Sequence, residues 1–169
     1  NIKAFTTSFE TKAYAESTRQ SIQMAARQLR YEWFRSLQNE YGFEYVLTAH
    51  HSDDNLETFL INLSRGTGIE GLIGIPEING TIVRPILDFS RVEILEHATT
   101  EKLRWRKDSS NNNTTYLRNN LRHSIIPLLK EINPSFIDSF KKTHNYLKET
   151  NSLLDDYILE VQDRVIISI

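Results

Sequence analysis

Asp54 and Glu57 stand one helical turn apart, directly after His50 and His51, and Arg65-Gly66-Thr67-Gly68 comes within a few turns. Two carboxylates at that spacing can bind a cationic group or take a proton from it. A glycine loop with a fixed positive charge can offer backbone N–H groups and a cation to phosphate oxygens. Blander roles exist for each part. Acids in a first helical turn complement the helix dipole. Paired histidines at a strand end can simply hydrogen-bond a turn, and Gly-Thr-Gly without a following Gly-Lys-Ser/Thr is not a Walker loop. His50, Asp54 and Glu57 could also form a metal-dependent hydrolytic site, if a suitable ligand geometry were reached.

The elements that would position these residues are legible around them. Tyr45 to Ala49 is a short apolar run that suits a buried strand. Ser52 is the expected N-cap of the next helix, with Asp53 and Asp54 in its first turn. Leu56, Phe59, Leu60 and Leu63 recur at helical spacing and form its inward stripe, while Asp54, Glu57 and Ile61 fall on the other side. Open α/β sheets place ligands at such strand–turn–helix junctions.

The stretch from His50 through Thr58, continued by Asn62-Leu63-Ser64-Arg65-Gly66-Thr67-Gly68-Ile69-Glu70-Gly71-Leu72-Ile73-Gly74-Ile75, resembles the second signature of the tRNA(Ile)-lysidine synthetases. These are PP-loop (N-type) ATP pyrophosphatases. Gln23 to Tyr31 is similar to a family segment in which an arginine before an aromatic reaches the active site, which implies that role for Arg30, with Arg27 as second choice. Tyr116-Leu117-Arg118-Asn119-Asn120-Leu121-Arg122 and Ile125 to Leu129 also resemble the family, where these arginines face ATP or tRNA phosphates. Arg84-Pro85-Ile86-Leu87 and Arg91-Val92-Glu93-Ile94 fit the same pattern.

Composition narrows the field. With 169 residues, 39% of them hydrophobic, the chain can bury one core and a second small unit. A net charge of −2 gives no global nucleic-acid signature, and the lack of cysteine excludes disulfides, thiolate metal sites and cysteine catalysis. It fits a reducing cytoplasm. No run of eighteen apolar residues is present to span a membrane.

In chain order, Ile2 to Thr7 reads as a short strand and Lys12 to Ser17 as loop or weak helix. A strong helix opens at Ser17 or Ser21 and runs to about Asn39, with Ile22, Ala25, Ala26, Leu29, Trp33 and Leu37 inward and Gly42 as its stop. Asn79-Gly80 predicts a hairpin between Ile75–Ile78 and Thr81–Arg84. Ser90-Arg91-Val92-Glu93 is a capping box opening a helix to about Lys102, with Val92, Leu95 and Ala98 inward.

From Lys102 to Lys130 seven basic residues face one acid. Arg104, Arg106, Lys107 and Arg118 make this the candidate RNA-facing patch, although a solvated charged face would read the same way, and Trp105 among them reads as a buried anchor before a stacking platform for a nucleobase. Asp108 to Thr114 is a polar loop, and Tyr116 to Ile126 reads as a helix with Arg118 and Arg122 on one face. Like charges there repel, which points to an anionic partner. After Asn133-Pro134 a long amphipathic helix begins, with Phe136, Ile137, Phe140 and Leu147 at helical period.

The resemblance implies an incomplete Rossmann-like α/β fold, a parallel sheet with flanking helices and then a helical segment. Residues 1–130 would be the C-terminal part of a PP-loop catalytic domain, and 131–169 a linker and the start of a helical domain. No Gly-Gly pair occurs, so the family's first signature, a Ser-Gly-Gly-x-Asp-Ser loop upstream of the Ile2 strand, is expected outside this fragment, which alone should be inactive.

The implied activity uses ATP and Mg2+ to join free L-lysine to C2 of the wobble cytidine of a tRNA(Ile) with a CAU anticodon. Asp54, Glu57 and Arg30 would be catalytic. His50, Arg65, Gly66, Thr67, Gly68 and Arg122 would bind ATP or phosphate. Arg27, Arg104, Arg106, Lys107 and Arg118 would bind tRNA. A PP-loop tRNA thiolase (a class that usually employs cysteines) and a non-catalytic RNA-binding relative are the alternatives. Oligomeric state is open, a homodimer being one option.

Overall fold

The computed structural model describes residues 2–106 and 117–165. Lys107 and the polar loop Asp108–Thr114 therefore lie outside the described residues. The chain divides into two compact units, Asn1–Leu47 with Gly80–Val83, and Thr48–Asn79 with Arg84–Ile169. Among the described residues three short strands occur: β1 (Val46–Leu47), β2 (Ile78–Asn79) and β3 (Ile82–Val83).

In the first unit, helix α1 (Thr11–Thr18) stops at Arg19, which takes a left-handed φ of 53°. Helix α2 (Ile22–Tyr41) starts at Ser21, whose hydroxyl accepts the Met24 N–H, and ends at Gly42 with φ 69°. That conformation suits glycine, and the Gly42 N–H closes on the Gln38 carbonyl at 2.8 Å. Ala15 and Ala25 are buried between the helices, and the Phe9 and Trp33 rings meet edge to face at 6.4 Å. Of the expected α2 stripe, Ile22 and Ala26 are exposed. Strands β1 and β3 pair in parallel, Val46 opposite Ile82 and Leu47 opposite Val83.

Ile2 to Thr7 forms no strand. Its apolar residue Phe5 is satisfied instead by aromatic contact, 4.7 Å from the Tyr41 ring and 6.1 Å from Phe43. The strands around Asn79-Gly80 are two residues each, shorter than the periodicity predicts, with Gly80 at φ 58° between them.

The second unit contains α3 (Ser52–Arg65), α4 (Ile69–Leu72), α5 (Arg91–Thr100), α6 (Leu117–Asn120), a π-helical turn (Leu121–Ile125), α7 (Ile126–Ile132) and α8 (Phe136–Val165). Its core is Leu56, Ile126 and Phe140, with Phe59, Leu60, Phe136 and Ile137 packed against them. Thus α3, α7 and α8 meet along apolar stripes. Burying one such leucine contributes roughly 2 kcal/mol. Leu63, at the end of the predicted stripe, is exposed.

Of the helix expected over Tyr116–Ile126, Tyr116 lies outside the described residues, and from Leu117 onward the helix breaks register. The Ile126 N–H reaches the Leu121 carbonyl, a π-type bond, and Pro127 stands at the start of α7. Proline has no N–H to give to the carbonyl four residues back, so the ordinary ladder cannot run through this point. In α5 the capping box forms as predicted, with Ser90 Oγ accepting from Glu93 N at 3.2 Å and Glu93 accepting from Ser90 N at 2.6 Å. Val92 and Leu95 are exposed, not inward, because they line a cleft.

Candidate functional site

The turn after β1 is set by its histidines. Thr48 Oγ1 and His50 Nδ1 are 3.0 Å apart. The N-cap of α3 is His51, not Ser52: its Nδ1 accepts from Asp54 N, and Asp54 Oδ2 accepts from His51 N at 3.1 Å. This reciprocal pair satisfies two terminal N–H groups and orients Asp54. Ser52 sits inside the first turn, where its own N–H donates to the Phe89 carbonyl at 2.9 Å. Asp53 Oδ2 accepts from Arg91 N at 2.8 Å, so the starts of α3 and α5 are stitched together.

Glu57 faces away from the leucine stripe yet is 0% exposed. Arg122, from the π-helical turn, covers it. Arg122 Nε donates to Glu57 Oε1 at 2.6 Å and Nη2 to Glu57 Oε2 at 3.1 Å. The same Nη2 donates to Asp54 Oδ1 at 3.2 Å. A guanidinium fork fits a carboxylate in this two-bond way. Burial pushes the Glu57 carboxyl above its ordinary value, while the bonds and charge of Arg122 oppose that shift. Burial likewise works against the Arg122 charge, but Glu57 and Asp54 outweigh it and the guanidinium is held charged.

One turn earlier, Arg118 Nη2 donates to Thr58 Oγ1 at 2.8 Å, and that hydroxyl donates to the Asp54 carbonyl at 2.9 Å. The two arginines predicted to seek an outside anion thus dock side by side on α3, and Arg122 finds its anionic partners within the protein.

Asp53, Glu57, Arg91, Arg122, Lys130 and Glu131 line a cleft of about 470 Å³ whose floor includes Val92, Leu95 and Ile126. Lys130 Nζ is 3.7 Å from Asp53 Oδ1. Carboxylates and cations alternate here over an apolar floor. Such a cleft suits a ligand carrying both charges on a hydrocarbon chain.

The loop after α3 is exposed at Arg65, Gly66, Thr67 and Gly68. Gly66 takes φ 73°, a left-handed conformation that disfavours other residues. Two asparagines on α3 grip the segment after this loop: Asn62 Nδ2 donates to the Gly71 carbonyl and Asn55 Oδ1 accepts from Ile75 N, each at 2.8 Å. Their signal in the sequence is a pair of amides about two helical turns apart on the flank of the apolar stripe.

Other expected residues are carried by other elements. Arg27 and Arg30 belong to the first unit, on α2, with their guanidinium carbons 4.8 and 5.8 Å from the Tyr31 ring centroid. Arg104 and Arg106 are exposed, and Trp105 between them is 53% exposed, so it is no buried anchor. Among the described residues no group of three or more His, Asp or Glu is arranged to hold a metal ion. No described helix is long and apolar enough to cross a membrane. The burial of Arg84, 5% exposed, has no local signal in the sequence; its Nη1 donates to the Pro76 carbonyl at 2.6 Å.

Comparison with known proteins bears on this arrangement. Residues 1–129 match the PP-loop domain family. The chain is 51% identical over 141 residues to the tRNA(Ile)-lysidine synthase of Porphyromonas gingivalis strain W83, covering 83% of this chain and 31% of that protein. It is 43% identical over 165 residues to the enzyme of that name from Bacteroides thetaiotaomicron, covering 98% and 39%. For Parabacteroides distasonis the identity is 40% over 160 residues, covering 95% and 36%. The chain therefore spans less than half the length of these curated relatives. A PP-loop domain implies a Rossmann-like, ATP-binding α/β arrangement, and the parallel β1–β3 pair agrees with it. The match takes in the strand, the histidine turn, the acid-bearing helix and the Arg122 turn that docks on it, and the chain belongs to the PP-loop domain family.

Proposed function

We propose that this chain is part of a tRNA(Ile)-lysidine synthase, contributing the C-terminal part of a Rossmann-like catalytic domain over residues 1–130 and a linker with the start of a helical domain over 131–169. The observation that carries the reading is the Asp54–Glu57–Arg122 cluster at the edge of a mixed-charge cleft, in a chain 40–51% identical to proteins of that name. ATP activates the C2 oxygen of the wobble cytidine of a CAU-anticodon tRNA, with loss of pyrophosphate. The side-chain amine of L-lysine then forms a bond to C2, and AMP leaves with the former oxygen.

Asp53 and Glu57 in the cleft, with Asp54 beside them, offer carboxylates to the two ammonium groups of lysine. Arg91 and Lys130 offer cations to its carboxylate, and Val92 and Leu95 an apolar floor to its methylenes. The attacking amine is nucleophilic only when neutral, and Asp54, held by His51 and Arg122, is the group assigned to receive its proton. Arg122 bridges both acids and so holds their spacing when the cationic substrate arrives, and its fixed charge is assigned to ATP phosphate. The exposed Arg65–Gly68 loop and His50 are assigned to ATP phosphates, and Arg30 to the leaving AMP. Mg2+ would be held chiefly by phosphate oxygens. Arg27, Arg104, Arg106, Lys107 and Arg118 are assigned to the tRNA backbone.

Asp54→Ala and Glu57→Gln in the full-length protein test the assignment. The expected result is a rise in the lysine KM of at least about ten-fold for Glu57→Gln and a loss of kcat for Asp54→Ala. Full lysine transfer by Asp54→Ala contradicts it.

A further inference from the structure

His144 lies on α8, beyond the residues matched by the PP-loop family, and is only 5% exposed. Its Nε2 is 3.1 Å from Asn55 Nδ2 and also touches the Ile73 carbonyl. Asn55 is buried on α3 between the two proposed catalytic acids in sequence, Asp54 and Glu57. Its amide has one orientation, because Oδ1 accepts the Ile75 N–H at 2.8 Å. Nδ2 must then face His144. Gly74, between the two held positions, takes φ 73°, and a Cβ there would stand 2.2 Å from Asn55 Oδ1. The turn 73–75 thus approaches the Asn55 amide so closely that position 74 has no room for a side chain.

We propose that His144 is a positioning residue for lysine transfer: with Asn55 it locks the Ile73–Ile75 turn onto the first turn of α3. This inference rests on the proposed function. The loop bearing Arg65 to Gly68 is anchored at its far end by this lock and by Asn62 on the Gly71 carbonyl. The first turn of α3 carries Asp54, and Glu57 stands one turn on. A single imidazole on α8 therefore couples three parts of the site: the acids, the phosphate-facing loop and the helix that continues from the catalytic unit. Nε2 can serve one of its two neighbours at a time. As N–H it donates to the Ile73 carbonyl; as a bare nitrogen it accepts from Asn55. Edge-on packing of Phe140 against Phe59 at 5.3 Å, with His144 5.6 Å from Phe140, fixes the ring in place.

The test compares His144→Leu with His144→Gln in the full-length protein. Glutamine can place an amide near the Nε2 position, whereas leucine fills volume without a polar atom. Measurements are made where circular dichroism shows every variant folded. Expected is a kcat loss of at least about ten-fold for His144→Leu and a return to within about three-fold of the parent for His144→Gln. Amide hydrogen exchange at Ile75 should quicken at least about ten-fold in His144→Leu alone. Equal loss in both variants, or a His144→Leu enzyme within about two-fold of the parent, overturns the proposal. If the parent protein transfers no lysine, the functional reading fails by itself. Exchange at Ile75 still decides the lock, faster exchange in His144→Leu supporting it and unchanged exchange overturning it.

Discussion

Arg122 Nε lies 2.6 Å from Glu57 Oε1, and Glu57 has no exposed surface. Two residues on different helical segments are thereby committed to each other by charge and geometry. The pair should be costly to halve and cheap to delete whole. Arg122→Met leaves a buried carboxylate without its cation and should destabilise the fold by about 3–5 kcal/mol. Arg122→Met with Glu57→Leu should recover most of that loss, which urea unfolding of the two variants can check. A double variant as unstable as the single one would show that the pair has no special coupling.

Gly74 and Gly80 both have positive φ but different surroundings. A Cβ at Gly74 would meet Asn55 Oδ1 at 2.2 Å, whereas a Cβ at Gly80 would meet nothing within 4 Å. Gly80→Ala should cost about 1 kcal/mol from backbone strain alone. Gly74→Ala should cost about 1–3 kcal/mol more, because the Asn55 amide must also move off the Ile75 N–H. Thermal unfolding of the two variants separates these effects.

Burial holds the His144 imidazole below its ordinary value of 6.5, with the Ile73 carbonyl opposing and Lys148, Asp88 and Glu77 as charged neighbours. The unfolded chain then takes up a proton at a higher pH than the folded one. Stability from this residue is full above about pH 6.5 and falls as pH drops below it. Denaturation curves between about pH 7.5 and 5.5 should show that decline, and His144→Leu should flatten it.

Glu93 behaves differently. Hydrogen bonds from the Ser90 side chain and backbone, then from Lys141, lower its carboxyl to about 2. This depressed acid stabilises the start of α5 above about pH 4.5, and the contribution is lost as pH falls toward about 2. The group is exposed, so Glu93→Ala should cost no more than about 1 kcal/mol at neutral pH. The measurement is the midpoint of urea unfolding for parent and variant at about pH 7 and about pH 3.

Local signals in the sequence carried the strand–turn–helix core of the site. The acids of the first turn and the spacing of Leu56, Phe59 and Leu60 are short-range and are realised in α3, whereas the run from Tyr45 to Ala49 yields only the two-residue β1, with Leu47 68% exposed instead of buried. The Ser90 capping box and the Gly42 stop are local too, and both form. Pairings over long separations were not legible. Glu57 and Arg122 are 65 residues apart, and Asn55 and His144 are 89 apart. No periodicity announces either. The cap of α3 falls on His51 instead of the expected Ser52, because serine is the commoner cap and nothing nearby says that the His51 ring would reach the Asp54 N–H first. Ile2–Thr7 has strand composition without a strand partner, and Pro127 turns one expected helix into α6, a π-helical turn and α7.

The central claim is best tested by lysine transfer itself. Full-length protein is incubated with labelled L-lysine and tRNA transcripts bearing a CAU anticodon, with and without ATP. ATP-dependent label on the isoleucine transcript, and none on the methionine transcript, is the predicted result. No label on either transcript, from folded protein supplied with ATP and Mg2+, would contradict the account.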